Sequence, residues 1–182
     1  MIAAHLVETL AAEIRDATAN IKMPVEYHNE RERRMESTWQ KINVFEMYIP
    51  EDLFDNSVYY PLIVVEWLMT KDRTLGENKG SLATIGLSFG VFGKEYDGWK
   101  DCVHLMEVVR ERLLTKRTLA NKYRLTGEIT WQTAPAEKQP RPFFYGYTEI
   151  IYQLYQPQEE YYGESHLYWT QCRGRDDQSA FH

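Results

Sequence analysis

The first 18 residues repeat apolar side chains at the spacing of a helix. Ile2, Leu6, Leu10, Ile14 and Ala17 follow one another at intervals of three or four residues. Side chains at this spacing share one face of an α-helix, and the charged residues between them can face water. The pattern predicts an amphipathic helix over residues 1–18.

The hydrophobic pattern is less regular over residues 20–50. Val25 and Tyr27 are followed by a charged run over 30–34, which predicts a connecting strand or loop and then a solvated turn. The stretch KINVFEMYIP has the composition of a strand. Pro50 ends it, because proline cannot donate a hydrogen bond to a strand ladder.

Two strands joined by a polar loop are predicted between residues 58 and 93. VYYPLIVVEW (58–67) is apolar at both alternating sets of positions, as expected of a strand that is covered on both faces. The loop TKDRTLGENKG (70–80) connects it to the alternating strand SLATIGLSFGVFG (81–93). The second strand has one face of small residues, Thr84, Gly86, Ser88 and Gly90. That face predicts close packing by another part of the chain.

A second amphipathic helix is predicted over 97–114, with the Asp97 carboxylate as its N-cap. The apolar stripe expected to cover the sheet consists of Trp99, Val103, Met106, Val109 and Leu113. A short strand around 129–131 follows, then a proline-rich turn over 133–142 and a final strand, FFYGYTEIIYQL (143–154).

These elements predict an α+β fold in a single domain over residues 1–155. We expect a mainly antiparallel sheet of four to six strands with two helices packed on it. Residues 156–182 show no clean helical or strand period, but they are rich in aromatic residues, which a purely solvating tail would lack. We therefore expect an extended C-terminal arm that docks on its own domain or on a neighbour. A frayed chain end is the alternative.

Composition favours a globular protein that takes part in assembly. Hydrophobic residues make up 43% of the chain, which supports a core, and 13 Tyr, 5 Trp and 7 Phe favour an additional interface. The net charge of −6 provides no basic footprint for nucleic acid. We expect no membrane span, because no run of about 18 apolar residues occurs, and no signal peptide, because a basic leader is missing.

One pentapeptide suggests enzymatic chemistry. Residues 86–90, Gly-Leu-Ser-Phe-Gly, match the G-x-S-x-G nucleophile elbow. The elbow needs a sharp strand-to-helix turn that presents the serine hydroxyl to a histidine, whereas this serine lies inside an alternating strand. Asp97 or Asp101 with His166 would have to complete the triad. A small serine hydrolase that uses Ser88 is a remote alternative, and we predict that the protein is not an enzyme.

No metal or cofactor site is predicted. The histidines are scattered, and neither H-E-x-x-H nor C-x-x-C occurs. Residues 76–81 contain glycines and a lysine but precede a strand, so no helix N-terminus would receive a phosphate. Cys102 and Cys172 are expected to be free thiols in a reducing cytoplasm. Asp101 beside Cys102 would not lower the pKa of that thiol.

The order of elements over 58–154 resembles phage and prophage tail terminator proteins, which are also called tail-completion or head-tail joining proteins. The likeness lies in Tyr60-Pro61 before the apolar strand, the strand–loop–strand unit, the Asp-Gly-Trp-Lys-Asp sequence (97–101) that opens the helix, and the final strand. It covers about half of the chain and consists of a pattern rather than an invariant motif.

The resemblance implies a structural virion protein. Such a protein forms a homo-oligomeric ring, expected to be a hexamer, on the last ring of the tail tube. The ring ends tube polymerisation and provides the surface to which the filled head attaches. The implied partners are other copies of the chain, the tail tube protein and the head-tail connector proteins, with DNA only in passage through the lumen. The implied location is the tail or neck of the virion, after assembly in the host cytoplasm.

The candidate interface residues come from composition and not from a family motif. They lie in the charged turn, the 70–80 loop and the aromatic arm, and they are Arg31, Arg33, Arg34, Lys71, Arg73, Lys79, Tyr161, Tyr162, Tyr168 and Trp169. For the arginines, which alternate with glutamates, a locally salt-bridged surface is the plainer interpretation. Residues 1–57 and the arm lie outside the matching part. Another neck ring or a tube adaptor is therefore the nearest alternative, and a monomeric regulatory or peptide-binding domain is a third.

Overall fold

The protein is described by a computed structural model over residues 2–29, 34–49, 59–73, 80–93 and 98–154. The elements in chain order are α1 (Ile2–Thr18), β1 (Lys22–Asn29), β2 (Arg34–Lys41), β3 (Asn43–Glu46), β4 (Leu62–Arg73), β5 (Gly80–Phe92), α2 (Gly98–Thr115), β6 (Thr118–Leu119), β7 (Tyr123–Thr133), a 3-10 helix (Ala136–Lys138) and β8 (Phe143–Leu154).

The predicted α+β fold, a mainly antiparallel sheet of four to six strands with two helices packed on it, is confirmed, and the large sheet has six strands. The strand order of the large sheet is β3-β4-β5-β8-β7-β6, and β1 and β2 form a separate two-stranded sheet. All neighbours are antiparallel except β3 and β4, which are parallel. The expected C-terminal arm, 156–182, lies outside the described residues.

Both helices cover the same face of the large sheet. Directly opposed residues of neighbouring strands point to the same face, and the register opposes Ile63 to Phe89 and Ile85 to Ile150. These side chains are buried together with Leu6 of α1 and other residues of both helices in the main core. The N-terminal helix and the final strand, which the periodicities predict, therefore meet in one core.

The other face of the sheet carries a second, smaller cluster around Tyr60, Leu62 and Val64. A Cβ atom added to Gly90 would lie 2.9 Å from the Tyr60 ring, and one added to Gly86 would lie 3.3 Å from a methyl group of Leu68. The prediction that something packs closely on the small-residue face of β5 is confirmed.

Three of the predicted strands differ in extent from the structure. The strand expected over 41–50 is β3, which ends at Glu46 and not at Pro50, because Met47 with a φ of 68° turns the chain out of the sheet. β4 continues to Arg73, so residues 70–73 belong to a strand and not to the predicted loop; they pair with residues 80–83 of β5. Both faces of β4 are covered only over 62–65. The short strand expected around 129–131 is part of the longer β7, whose pairing with β8 is interrupted between Thr126 and Thr130. Backbone hydrogen bonds hold these polar segments in the sheet.

The stripe predicted for α2 is partly wrong. Met106, Val109 and Leu113 are buried as expected, but Trp99 is 50% exposed. The buried positions near the start of the helix are Gly98 and Cys102. Phe144 packs so close to Gly98 that an added Cβ would lie 2.6 Å from its ring, and this contact turns that side of the helix toward the sheet. Asp97 lies outside the described residues.

A buried carboxylate ties the two helices together. Glu13 of α1 is only 9% exposed and accepts hydrogen bonds from Arg112 of α2 and from Lys116, which directly follows that helix. Burial disfavours the charged form, but the hydrogen bonds from Lys116 and Arg112 outweigh it and lower the pKa of Glu13. Arg112 also donates to Asp16 at 2.6 Å. The helices thus form one rigid layer on the sheet.

Candidate functional site

The β1–β2 hairpin presents one exposed face with an apolar centre. Its register opposes Pro24 to Trp39 and Lys22 to Lys41, so these four side chains share a face. All four are exposed, and the Trp39 side chain is 68% accessible. Met23 faces the other way, into the main core, and fixes the base of the hairpin to the domain. We call this face, formed by Lys22, Pro24, Trp39 and Lys41, the hairpin face.

An apolar groove of about 490 Å³ lies between the start of α1, the end of β3 and the middle of β4. Its lining consists of Ile2, Ala3, Ala4, Val7, Glu8, Glu46, Met47 and Trp67. We call it the α1 groove.

Local backbone geometry explains why the α1 groove is open. Met47 adopts a φ of 68°, which turns the chain out of β3, and its backbone N–H donates to the Val65 carbonyl at 2.8 Å. The Met47 sulfur accepts the N–H of Trp67 at 3.3 Å. Ile2, Met47 and Trp67 each remain more than 40% exposed. Contiguous apolar exposure of this kind marks an interaction site more often than a scatter of single residues does.

The two surfaces lie at opposite ends of α1. The α1 groove contains the first turns of the helix, whereas the hairpin begins at Lys22, just after the helix ends at Thr18. A helix of this length separates its ends by about 24 Å. Arg15 holds β3 against α1 through hydrogen bonds to the Val44 carbonyl at 3.0 Å and to Glu46 at 2.8 Å. The separation of the two surfaces is therefore fixed within the domain.

A smaller cleft of about 260 Å³ lies between the end of α2 and the irregular part of β7. Its lining combines Arg110 and Arg117 with Leu114, Ile129 and Trp131. Arg110 is paired with Glu107 at 3.0 Å, and Arg117 donates to the Leu114 carbonyl at 3.3 Å. These arginines already have partners within their own helix or its end.

The structure describes only part of the predicted interface set. Lys71 and Arg73 are exposed on β4, two residues apart and thus on one side of that strand. Arg34 begins β2, on a different element. Lys79, Arg31, Arg33 and the arm residues Tyr161, Tyr162, Tyr168 and Trp169 lie outside the described residues. Among the three described members of the predicted set, the structure places Lys71 and Arg73 together and Arg34 on a different element.

The exposed residues of the hairpin face and the α1 groove were not predicted as site residues. A partial signal exists for Trp39, because a lone aromatic residue in a polar strand is poorly explained by a core. Trp67 lies in the segment that the sequence predicts as a doubly covered strand. Its 41% exposure depends on where the packing of other residues against β4 ends, and the local sequence pattern does not show that position.

Ser88 does not occupy a nucleophile elbow. It lies in the middle of β5, opposite Val64 of β4 and Tyr147 of β8, and not at a strand-to-helix turn. His104 is on α2, which covers the other face of the sheet, and His166 lies outside the described residues. The geometry that would activate the hydroxyl group of Ser88 is not present in the described part of the chain.

Other titratable groups show structural roles. Cys102 is a buried free thiol, and burial, with a smaller effect of Asp101, raises its pKa to about 12, so the prediction that its pKa is not lowered is confirmed. His5 hydrogen-bonds the Tyr123 hydroxyl at 2.8 Å. No three His, Cys, Asp or Glu side chains among the described residues are placed to hold a metal ion. Within the same residues, no helix has the length and apolar character required to cross a membrane.

Comparison with known proteins gives no family assignment. No protein-family model matches the chain, and no curated protein matches it.

Proposed function

We propose that this protein is a structural ring protein of a phage or prophage particle, and specifically a tail terminator. In this role copies of the chain close into a ring on the last ring of the tail tube, stop its growth and provide the surface for head attachment. The protein acts through its surfaces and carries out no catalytic step.

The observation that carries the proposal is the pair of different exposed apolar surfaces at opposite ends of α1. A closed ring needs a heterologous interface, in which one patch of a subunit contacts a different patch of the next. The hairpin face and the α1 groove are two such patches on one domain, with Trp39 at 68% exposure on the first and Trp67 at 41% on the second. A monomer gains nothing from either exposure.

Rigidity between the patches also supports a ring. The angle between the two patches sets the rotation from subunit to subunit, and closure requires that this angle be constant. The Glu13 bonds to Arg112 and Lys116, and the Arg15 bonds to β3, hold α1 against both the second helix and the sheet. The resemblance of the 58–154 segment to tail terminators selects this ring among the structural rings of a particle.

A reconstitution experiment tests the proposal. The full chain is examined by native mass spectrometry and negative-stain electron microscopy, and is then added to growing tubes of the cognate tail tube protein. We expect closed rings, of six copies, that bind tube ends and stop elongation. A chain that stays monomeric at every concentration and leaves tube growth unchanged would overturn the proposal. Rings that do not bind tail tubes but do bind connector proteins would instead assign the protein to another position in the neck.

A further inference from the structure

We propose that the hairpin face of one copy packs into the α1 groove of the next copy, with Trp39 as the side chain that fills the groove. This inference rests on the proposed function, because it identifies the contact that would close the ring. The occupant of the groove is therefore a second copy of this chain.

The apolar parts of the two surfaces match. Trp39 and Pro24 form an opposed apolar pair on the hairpin face, and the apolar lining of the α1 groove includes Ile2, Val7 and Met47. A tryptophan side chain buries on the order of 200 Å² on association, and such aromatic anchors dominate interface energies. The groove volume of about 490 Å³ leaves room for an indole ring.

The charges around the two surfaces are opposite. Lys22 and Lys41 form the pair next to Pro24 and Trp39 at the base of the hairpin face, whereas Glu8 and Glu46 line the α1 groove. Glu46 is paired with Arg15 at 2.8 Å in its own chain, so Glu8 is the acidic group best placed to meet a lysine of another copy. Opposite charges around an apolar centre set orientation and suppress wrong pairings more than they add affinity.

The hairpin face of a chain does not occupy the α1 groove of the same chain. Within one chain Trp39 is 68% exposed and does not line the α1 groove, and Met23 anchors the hairpin in the core. Each copy therefore offers one hairpin face and one α1 groove, and the contact propagates head to tail. Such an assembly closes into a ring when the rotation between copies divides a full turn evenly without a rise along the axis, and extends as a helical filament when it does not.

Mixed cross-linking tests the contact directly. Ala4→Cys places a thiol in the groove and Lys41→Cys places one on the hairpin face, each in a Cys172→Ser background; Cys102 is buried and stays unreactive. With a short bismaleimide, we expect dimers when the two variants are mixed and none when either is treated alone. The chain with both substitutions is expected to give a ladder that stops at the ring size. Dimers of Lys41→Cys alone, or no dimers in the mixture, would overturn the proposal.

A charge-reversal cycle provides an independent test on the full chain. Lys41→Glu and Glu8→Lys are each expected to weaken self-association about fivefold, and the double variant to recover most of it. Trp39→Ala is expected to weaken it by about thirtyfold or more while leaving the Tm of the dilute monomer unchanged, because the side chain is exposed in one copy. Lys138→Glu, an exposed reversal on the 3-10 helix, is the matched control and is expected to have no effect. No recovery in the double variant would contradict the pairing.

The outcomes separate this contact from the proposed function. Rings seen by microscopy that neither cross-link nor respond to Trp39→Ala mean that the ring uses other surfaces, and the terminator proposal stands without this contact. Cross-linked rings from a protein that leaves tube growth unchanged mean that the contact is correct and the terminator proposal is wrong.

Discussion

Arg112 of α2 donates a 2.5 Å hydrogen bond from Nε to the Glu13 carboxylate of α1, across 99 positions of sequence. Lys116 bonds the second oxygen of the same carboxylate. Glu13 is nearly buried, whereas the two cations reach solvent. This arrangement allows one carboxylate to fix the helix that separates the two candidate surfaces.

Replacing this carboxylate should destabilise the fold. An amide in Glu13→Gln leaves two cations facing an uncharged, nearly buried group, so we expect unfolding free energy to fall by about 1 to 3 kcal/mol, less than for a fully buried pair. Glu107→Gln is the control, because the 3.0 Å pair with Arg110 is about half exposed at both ends. Its expected loss is below about 0.5 kcal/mol in the same urea titration. Equal losses in the two variants would contradict a special role for Glu13.

The stabilisation by Glu13 should depend on pH in the acid range. The folded state lowers the pKa of Glu13 below its ordinary value of 4.5. A carboxyl group with a lowered folded pKa stabilises the fold fully above its unfolded pKa, and that stabilisation is lost as pH falls through the folded pKa. The stability difference between the wild-type chain and Glu13→Gln should therefore be constant near neutral pH and shrink below 4.5. A difference that grows on acidification would show that the sign is wrong.

The Tyr152 hydroxyl offers a test of polar satisfaction. It is buried and has no hydrogen-bond partner among the described residues, and burial, with the negative charge of Glu13, raises its pKa. Tyr152→Phe removes a buried hydroxyl that has no hydrogen-bond partner among the described residues. We therefore expect the free energy of unfolding to stay the same or to rise by up to about 1 kcal/mol. In Tyr60→Phe, the matched control, the hydroxyl removed lies 2.7 Å from that of Tyr145, and the expected cost is about 1 kcal/mol. Calorimetry measures the stability of both variants. A clear loss of stability in Tyr152→Phe would contradict the prediction, because it would show that the Tyr152 hydroxyl has a hydrogen-bond partner.

Close packing at the start of α2 leads to another prediction. A Cβ atom at Gly98 would lie 2.6 Å from the Phe144 ring, so Gly98→Ala should cost about 1 to 3 kcal/mol through overpacking. At Gly80 the nearest atom to an added Cβ is the Gln153 amide at 3.9 Å, and Gly80→Ala should be close to neutral. Thermal melts compare the two. If the steric cause is correct, adding Phe144→Leu to the Gly98→Ala variant should restore part of the lost stability. A Gly98→Ala variant as stable as the wild-type chain would refute it.

The sequence predicts those elements whose two sides face different environments. α1 shows a period of 3.6 residues, and β8 shows a period of 2, because one side of each is in the core. Residues 70–73 of β4 are exposed, so their polarity resembles that of a loop although backbone pairing with β5 makes them strand. Arg34, the last residue of the charged run, is likewise paired in a strand, as the first residue of β2.

The candidate surfaces could not be predicted from the sequence, because the exposure of a side chain depends on tertiary packing. The sequence around Trp67 is typical of a buried strand. In the structure β4 is buried on both faces only over residues 62–65, so Trp67 lies at the surface. Met47 lines the groove because of its positive φ and its bond to Val65, and neither follows from residue type. The spacing of Trp99 predicts a core position. The close contact of Gly98 with Phe144 fixes the rotation of α2 about its axis, and in that rotation Trp99 is exposed.

Deleting the gene from the phage or prophage that the proposal requires as its source tests the central claim most directly. Electron microscopy of the induced particles, with the gene restored on a plasmid as the control, measures tail length and head attachment. The account predicts overlong tails beside filled, unattached heads, both corrected by the plasmid copy. Normal infectious particles without the gene would contradict it.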